Sequence, residues 1–417
     1  MSLDGAGYDV AALRAHFPAL GDGTAYFDGP GGSQTPTAVA EAVAGALVAG
    51  LSNRGSTTAS ERRADDLVVA ARQAAADLVG GDPAGVVVGR SMTALTFDLA
   101  RTLASGWGPG DEVVVTRLDH DANVAPWTSA AVAVGATVRW ADFDPTTGEL
   151  DPGAVTRLLG PRTRLVAVTG ASNLLGTRPD VAAVTRAAHD AGALVHVDGV
   201  HLTAHHRVDL AELGADLYSW SPYKVLGPHC GVLHGDPALL ETLHPAKLEP
   251  SPERVPERFE AGTLPYELLA GLTAAVDFLA GLADVVGAPA AGTTEPRRTR
   301  LERSLTAVEA HEARLRDRVE QGVLGLGVTV RSRAARRTPT LLLTFEDVPG
   351  VEAVDAYRFL AGLGVNAPAS HFYAVHASRH LGLGETGGLR VGISPYTDDE
   401  DVDRLLDGLG RLVTGPR

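Results

Sequence analysis

Thiols are almost missing from this chain: Cys230 is the single cysteine among 417 residues. That excludes an intramolecular disulfide framework and any zinc site built from several thiolates. Positive charge is also short. Lysine and arginine number 36 against 51 aspartates and glutamates, a formal net charge of −15, and a polyanion attracts neither nucleic acid nor an anionic bilayer. Neither is expected as a partner. No uncharged apolar run approaches the roughly 18 residues that a membrane span needs. Residues Met1 to Val10 carry Asp4 and Asp9 and no basic segment leading into an apolar stretch, so no secretory signal is expected. What remains is 45% hydrophobic and 21% charged, enough to bury a sizeable core. The length fits two domains, or one large and one small, with a cytoplasmic, metabolite-sized task.

Short β-branched runs alternate with alanine-rich segments of helical period. The runs are Val86-Val87-Val88, Val113-Val114-Val115, Leu165 to Val168, Leu194 to Val197 and Leu217 to Trp220. Nearly all are apolar on both faces, as strands are when helices cover both sides of their sheet. Segments such as Asp180 to Ala191, with Val181, Val184 and Ala187-Ala188 on one stripe and Gly192 as a stop, read as the intervening helices. This order predicts an α/β fold with a mostly parallel sheet and right-handed crossovers. Early helices are expected from Thr35-Pro36 to near Leu51 and from near Ser60 to Leu78. Composition shifts at Gly287 to Thr294, and a charged helix from Glu295 to near Gln321 leads into an α+β remainder. The expected division is a large domain over 26–287, a smaller α+β domain over 288–417, and an N-terminal segment, 1–25, packing on the smaller one.

Ligands of an open parallel sheet bind beyond the carboxyl ends of its strands. After Val88 comes Gly89-Arg90-Ser91-Met92-Thr93-Ala94 and then a helix, whose first N–H groups and dipole suit a phosphate. After Val115 comes Asp119-His120-Asp121-Ala122-Asn123, after Val168 Ser172-Asn173, and after Val197 Asp198-Gly199-Val200-His201. A carboxylate closing an apolar strand is partly buried and needs a partner. The next strand ends in Ser219-Trp220-Ser221-Pro222-Tyr223-Lys224, where a lysine can be desolvated into the neutral amine that imine formation requires. Each loop alone is a weak signal. Their order (phosphate loop, His, Asn, Asp, Lys) is what pyridoxal phosphate (PLP) chemistry demands: the lysine joins the aldehyde and the aspartate keeps the pyridine nitrogen protonated.

In these segments the chain resembles the class V aminotransferase family of PLP-dependent enzymes, in its cysteine desulfurase-like branch. The similarity runs from Tyr26-Phe27-Asp28 to the final helix, through Asn53-Arg54-Gly55, Asp119 to Asn123 with Pro126-Trp127, Ser172 to Gly176, Val197-Asp198-Gly199, Ser221 to Lys224, Phe259 to Thr263, and Arg390. It implies the fold type I architecture, a large PLP-binding domain with a seven-stranded-type sheet and a smaller α+β domain. It also implies roles. Lys224 corresponds to the Schiff-base lysine and proton shuttle, Asp198 to the partner of the pyridine nitrogen, His120 to the residue stacked on the ring, and Asn173 to the ring-oxygen contact. His201 stands where desulfurases usually have glutamine. Ser91, the Met92 backbone and Ser221 align with phosphate contacts, and Tyr223 replaces the usual histidine before the lysine. Thr263 matches a threonine that crosses to the neighbouring subunit's phosphate, implying a homodimer with active sites at the subunit interface. Arg390 corresponds to the arginine that binds the substrate carboxylate, a task that its planar fork suits; Asn53, His371 and Tyr373 are expected near the substrate.

One departure bears on the reaction. Desulfurases place sulfur on a mobile-loop cysteine, and the equivalent stretch here, Ala367 to Ala374, has none. Cys230 lies in the strand following the lysine turn, an ordinary place for a buried thiol. His205 and His206 resemble a structural turn, and His376 is expected on a loop over the site. The resulting expectation is an amino acid C–S lyase working by β-elimination without a persulfide. An epimerase or an aminotransferase of the same family, or a non-catalytic partner that has kept the fold, are the alternatives.

Overall fold

The computed structural model describes residues 7–288 and 295–415. Most of the expected composition shift (289–294) and the ends of the expected first and last segments (1–6 and 416–417) lie outside the described residues. Seven strands form the central sheet, in the spatial order Val86–Gly89, Gly231–Gly235, Leu217–Trp220, Leu194–Asp198, Thr163–Thr169, Glu112–Thr116, Thr137–Ala141. All neighbours run parallel except Gly231–Gly235, which is antiparallel to both of its partners. The all-apolar runs explain themselves. Val86 and Val88 join one hydrophobic cluster while Val87 joins the other, and Val114 likewise faces away from Val113 and Val115. Side chains alternate across a strand, so a strand covered on both sides has to be apolar throughout.

On one face, Met92–Ala104 buries Leu95, Leu99 and Leu103, and Ala125–Ala133 buries Trp127 and Ala131. On the other lie Ala59–Val79, Val181–Asp190 and Tyr266–Val285. Thr58 caps Ala59–Val79 in a reciprocal capping box with Glu61, which satisfies two otherwise unpaired N–H groups. Tyr266–Val285 has the length and apolar composition of a membrane span. It lies instead against Thr37–Val48, Ala59–Val79 and Arg297–Gly325, with Leu269, Leu272, Val276 and Leu279 buried.

The C-terminal part builds a second core. Thr340–Thr344 lies between Gly388–Gly392 and Thr329–Val330, antiparallel to both. Arg297–Gly325, Ala353–Ala361 and Asp399–Thr414 pack around a cluster that includes Leu315, Leu343, Leu360, Val391 and Leu405. The N-terminal segment touches both parts: the Asp9 N–H donates to Val286 O and Phe17 packs on Phe278, while the Tyr8 ring stacks on His311 at 4.0 Å. Arg14 bonds Asp401.

Two local readings differ from the expectations. Thr137–Ala141 is a strand absent from the sequence reading; it is the sheet's edge, where Thr137 and Arg139 face solvent and no double-sided apolar run develops. His205 closes a short helix, Leu202–His205, and is buried with its Nδ1 2.9 Å from Glu312 Oε2. His206 is buried too, against Glu309. What resembled a plain turn is a polar contact between the two parts of the fold.

Candidate active site

The carboxyl ends of the parallel strands open into an inner cavity lined by Ser91, Met92, Thr93, His120, Asn173, Asp198, His201, Ser221, Tyr223 and Lys224, among others. An outer cavity of about 840 Å³ continues from it, and adds Phe97, Asp121, His371, Phe372, Tyr373 and Arg390. Sequence-distant loops therefore converge because their strands are neighbours.

Val88 and Trp220 both face Val232 of the antiparallel strand. The turn after one carries Ser91, and the turn after the other carries Lys224. Ser91 caps Met92–Ala104, its hydroxyl accepting from the Ala94 N–H at 3.1 Å; the first N–H groups of such a helix have no intrahelical acceptor. Gly231 allows the strand to run this close. A Cβ there would lie 2.2 Å from the Ser91 carbonyl carbon and 2.3 Å from the Met92 nitrogen.

Lys224 sits in a turn held by Ser33, whose N–H and hydroxyl both donate to the Tyr223 carbonyl. Burial lowers its amine to about 8, with the Arg390 cation adding to the effect and Asp198 opposing it. Asp198 ends its strand buried, one oxygen accepting from the Val200 N–H at 2.9 Å. Burial raises it to about 6 against the pull of Lys224. Burial also keeps His120 neutral, lowered to about 3, with Lys224 and Arg390 contributing. Its Nδ1 accepts from the Ala122 N–H, so the proton sits on Nε2.

Beneath His120 is a buried network. The Asn123 side-chain amide donates to Asp119, and its oxygen accepts from the Trp127 indole at 3.1 Å and faces His196 Nδ1 at 2.8 Å. The other nitrogen of His196 meets the Ser219 hydroxyl at 2.8 Å. Thr116 closes the chain with a hydroxyl bond to Asp119. This fixes the loop bearing His120 onto three strands at once.

His201 has its Nε2 3.0 Å from both the Thr338 and Thr340 hydroxyls of the C-terminal part, while its Nδ1 is buried without a partner. Asn173 donates to the Phe372 carbonyl at 2.9 Å, and its side-chain oxygen is likewise buried and unpaired. Buried polar atoms are normally satisfied, so these two mark places where a bound molecule completes the site. Arg390 gives one Nη to the Asn173 carbonyl at 3.1 Å, leaves Nε unpaired, and has the Phe372 ring 3.6 Å from its guanidinium carbon. Burial lowers it to about 9, the nearby Asp28 opposing.

Of the residues singled out from sequence, Asn53 and Thr263 are exposed and lie outside both cavities. His376, expected on a loop, lies instead in the short helix Val375–His380, 3.6 Å from Asp121. Sequence reasoning placed Thr93 in the phosphate loop and Phe372 in the loop over the site without giving either a role, and missed Phe97, one turn beyond Thr93 on the helix face turned to the cavities; no local pattern signals the left-handed backbone of Phe372 (φ 50°). Thr93 had a usable signal, standing two residues after Ser91 in the first helical turn.

The site's donor set fits PLP: an enclosed amine, a carboxylate deep in the same cavity, a helix N-terminus with hydroxyls, and two unpaired buried atoms between them. The comparisons agree. Residues 25–288 match the family model Aminotransferase class-V, and the chain belongs to that family of PLP-dependent enzymes. An uncharacterized protein of Mycobacterium tuberculosis is 35% identical over 97% of this chain and 99% of its own. A probable cysteine desulfurase of Pseudomonas aeruginosa is 32% identical over 96% and 97% of the two chains. Among solved structures, the cysteine desulfurase of Escherichia coli in its S-sulfonic acid form superposes with a TM-score of 0.83 at 28% identity, covering 97% of this chain and 98% of that one. The α/β architecture with its largely parallel sheet is the fold type I of these enzymes.

Proposed function

We propose that this chain is a PLP-dependent lyase that removes a sulfur-bearing group from Cβ of an amino acid and uses no persulfide cysteine. The observation that carries this reading is the pairing of a complete set of Cα-directed groups with a thiol that is out of reach. Lys224, Asp198 and Arg390 line connected cavities, whereas Cys230 is buried and its thiol is pushed up to about 12 by that burial. A reactive cysteine needs exposure and an electropositive setting.

Ser91, the Met92 N–H, Ser221 and Tyr223 would hold the phosphate; His120 would lie on the ring face. Asn173 and His201 would stand beside the ring oxygen, His201 offering its unpaired Nδ1 to it, and Asp198 would meet the ring nitrogen. When bound, PLP supplies an electron sink for the bonds at Cα. Arg390 holds the substrate carboxylate through its free Nε. The Lys224 amine takes the Cα proton, and the pair left behind expels the sulfur as a thiol. With one water taken up, the net products are a keto acid, ammonia and the thiol.

The reading takes the enzyme as a cytoplasmic homodimer acting on a small amino acid, with no nucleic acid and no membrane involved. The exposed positions of Thr263 and Asn53, outside the chain's own cavities, support a partner subunit supplying them. Epimerisation would call on Tyr373, His371 or His201 as a second acid, and His371 and Tyr373 line the outer cavity. The test is to incubate the holoenzyme with S-substituted cysteines and assay keto acid and thiol together. Equal release of both is expected. Exchange of the Cα hydrogen for deuterium without keto acid would move the assignment to epimerisation, and keto acid without thiol to transamination.

A further inference from the structure

We propose that the amino acid held at Arg390 carries a bulky apolar or aromatic substituent on Cβ, and that Phe97 and Tyr373 select it. This rests on the reading of the site just given. The outer cavity, at about 840 Å³, is in the size range of pockets that enclose whole drug-sized ligands. Beyond Arg390 its wall is mostly carbon: Phe97, Phe372, Tyr373, Ala122 and Ala125. Thr93 and Phe97 are four residues apart on Met92–Ala104, so they share one helix face. That face puts Thr93 over the inner cavity and Phe97 further out. Tyr373 is 70% exposed at the mouth, yet its backbone is fixed: φ is 58° and its carbonyl accepts from the Asp121 N–H at 2.8 Å. Its ring lies tilted against that of His120, centroids 5.6 Å apart, so one aromatic face borders the cavity while the rest is open to an incoming group.

Among the described residues of this chain, Asp121 alone adds a carboxylate or a fixed cation to the outer wall beyond Lys224 and Arg390, and it faces His376. A distal charge on the substrate therefore meets no buried partner there among the described residues of this chain. Each methylene placed against such a wall changes affinity by about tenfold or more.

Binding alone can be read with carboxylates that lack the amine needed to join the cofactor. The PLP-loaded protein is titrated calorimetrically with 3-(benzylthio)propanoate and with propanoate. The benzylthio compound is expected to bind at least about tenfold more tightly. Phe97→Ala should lower that ratio about fivefold and leave propanoate binding unchanged, given how little a distant apolar contact adds for a short ligand. Tyr373→Ala, at an exposed position, should fold normally and lower the ratio as well. A ratio near one in the parent protein overturns the proposal, and so does a ratio untouched by both variants. Selective binding of the benzyl compound without keto acid release from S-benzylcysteine would overturn the elimination reading and leave the selectivity standing. Keto acid release with no selectivity would do the reverse.

Discussion

Asn173 and Phe372 stand 199 residues apart in the chain and meet at 2.9 Å, the side-chain amide of one donating to the carbonyl of the other. The same asparagine gives its backbone carbonyl to Arg390. One residue thus ties the segment bearing Phe372 and the buried Arg390 to the end of Thr163–Thr169. The segment needs the tie, because Phe372 and Tyr373 are both left-handed, with φ of 50° and 58°, a conformation that disfavours side chains with a Cβ.

Asn173→Ala removes that clasp. A hydrogen bond of this kind contributes about 1 kcal/mol, so amide exchange across residues 371–374 should speed up about five- to tenfold. Mass-spectrometric hydrogen exchange checks it, and unchanged protection would mean the segment is held from elsewhere.

Lys224, lowered to about 8, should react with PLP as the free amine. The yield of borohydride-fixed cofactor is expected to climb as pH rises through 8 and then level off. Lys224→Ala should give none while still binding PLP noncovalently, which dialysis and absorbance can follow.

Asp198 is raised to about 6, above the usual aspartate value near 3.9. The stability it contributes is present below that unfolded value and is lost as pH rises through 6. At pH 7 the cofactor-free Asp198→Asn protein should therefore be more stable, by up to about 3 kcal/mol, in urea denaturation. Its turnover should fall about 10²-fold or more, the usual consequence of losing a preorganised charge partner. PLP affinity of the parent protein should decline as pH drops below 6.

His205 and Glu312 are both buried and joined at 2.9 Å, and the second Glu312 oxygen has no partner. His205→Ala leaves that carboxyl unpaired and should destabilise the protein by about 3–5 kcal/mol. Replacing both by leucine should recover most of the loss. Denaturant midpoints decide.

Cys230→Ala should keep turnover within about twofold, since a thiol held up at about 12 is no nucleophile at neutral pH. Loss of activity with retained folding would return the cysteine to the chemistry.

The strands legible in the sequence were those whose double-sided burial forces every residue to be apolar, Val113-Val114-Val115 above all. Thr137–Ala141 was not, because an edge strand mixes Thr137 and Arg139 with half-buried Val138 and Trp140. Ser91, His120, Asn173, Asp198 and Lys224, which the structure brings to one candidate cavity, could be singled out because each follows a recognisable strand. The role of Phe372 escaped because its place depends on Arg390 from another strand, and that of His205 because its partner Glu312 comes from a helix about a hundred residues on. Contacts between distant segments leave no period in the chain to read.

Val232 has a consequence for how this site can change. Because it pairs with both Val88 and Trp220, the spacing between the Ser91 turn and the Lys224 amine is gauged by a single ribbon rather than by either turn. A slip of one residue along that ribbon would displace a turn by roughly 3.4 Å and reverse its faces, so insertions within this hairpin should be refused, while the outer wall stays free to be remodelled for new substrates.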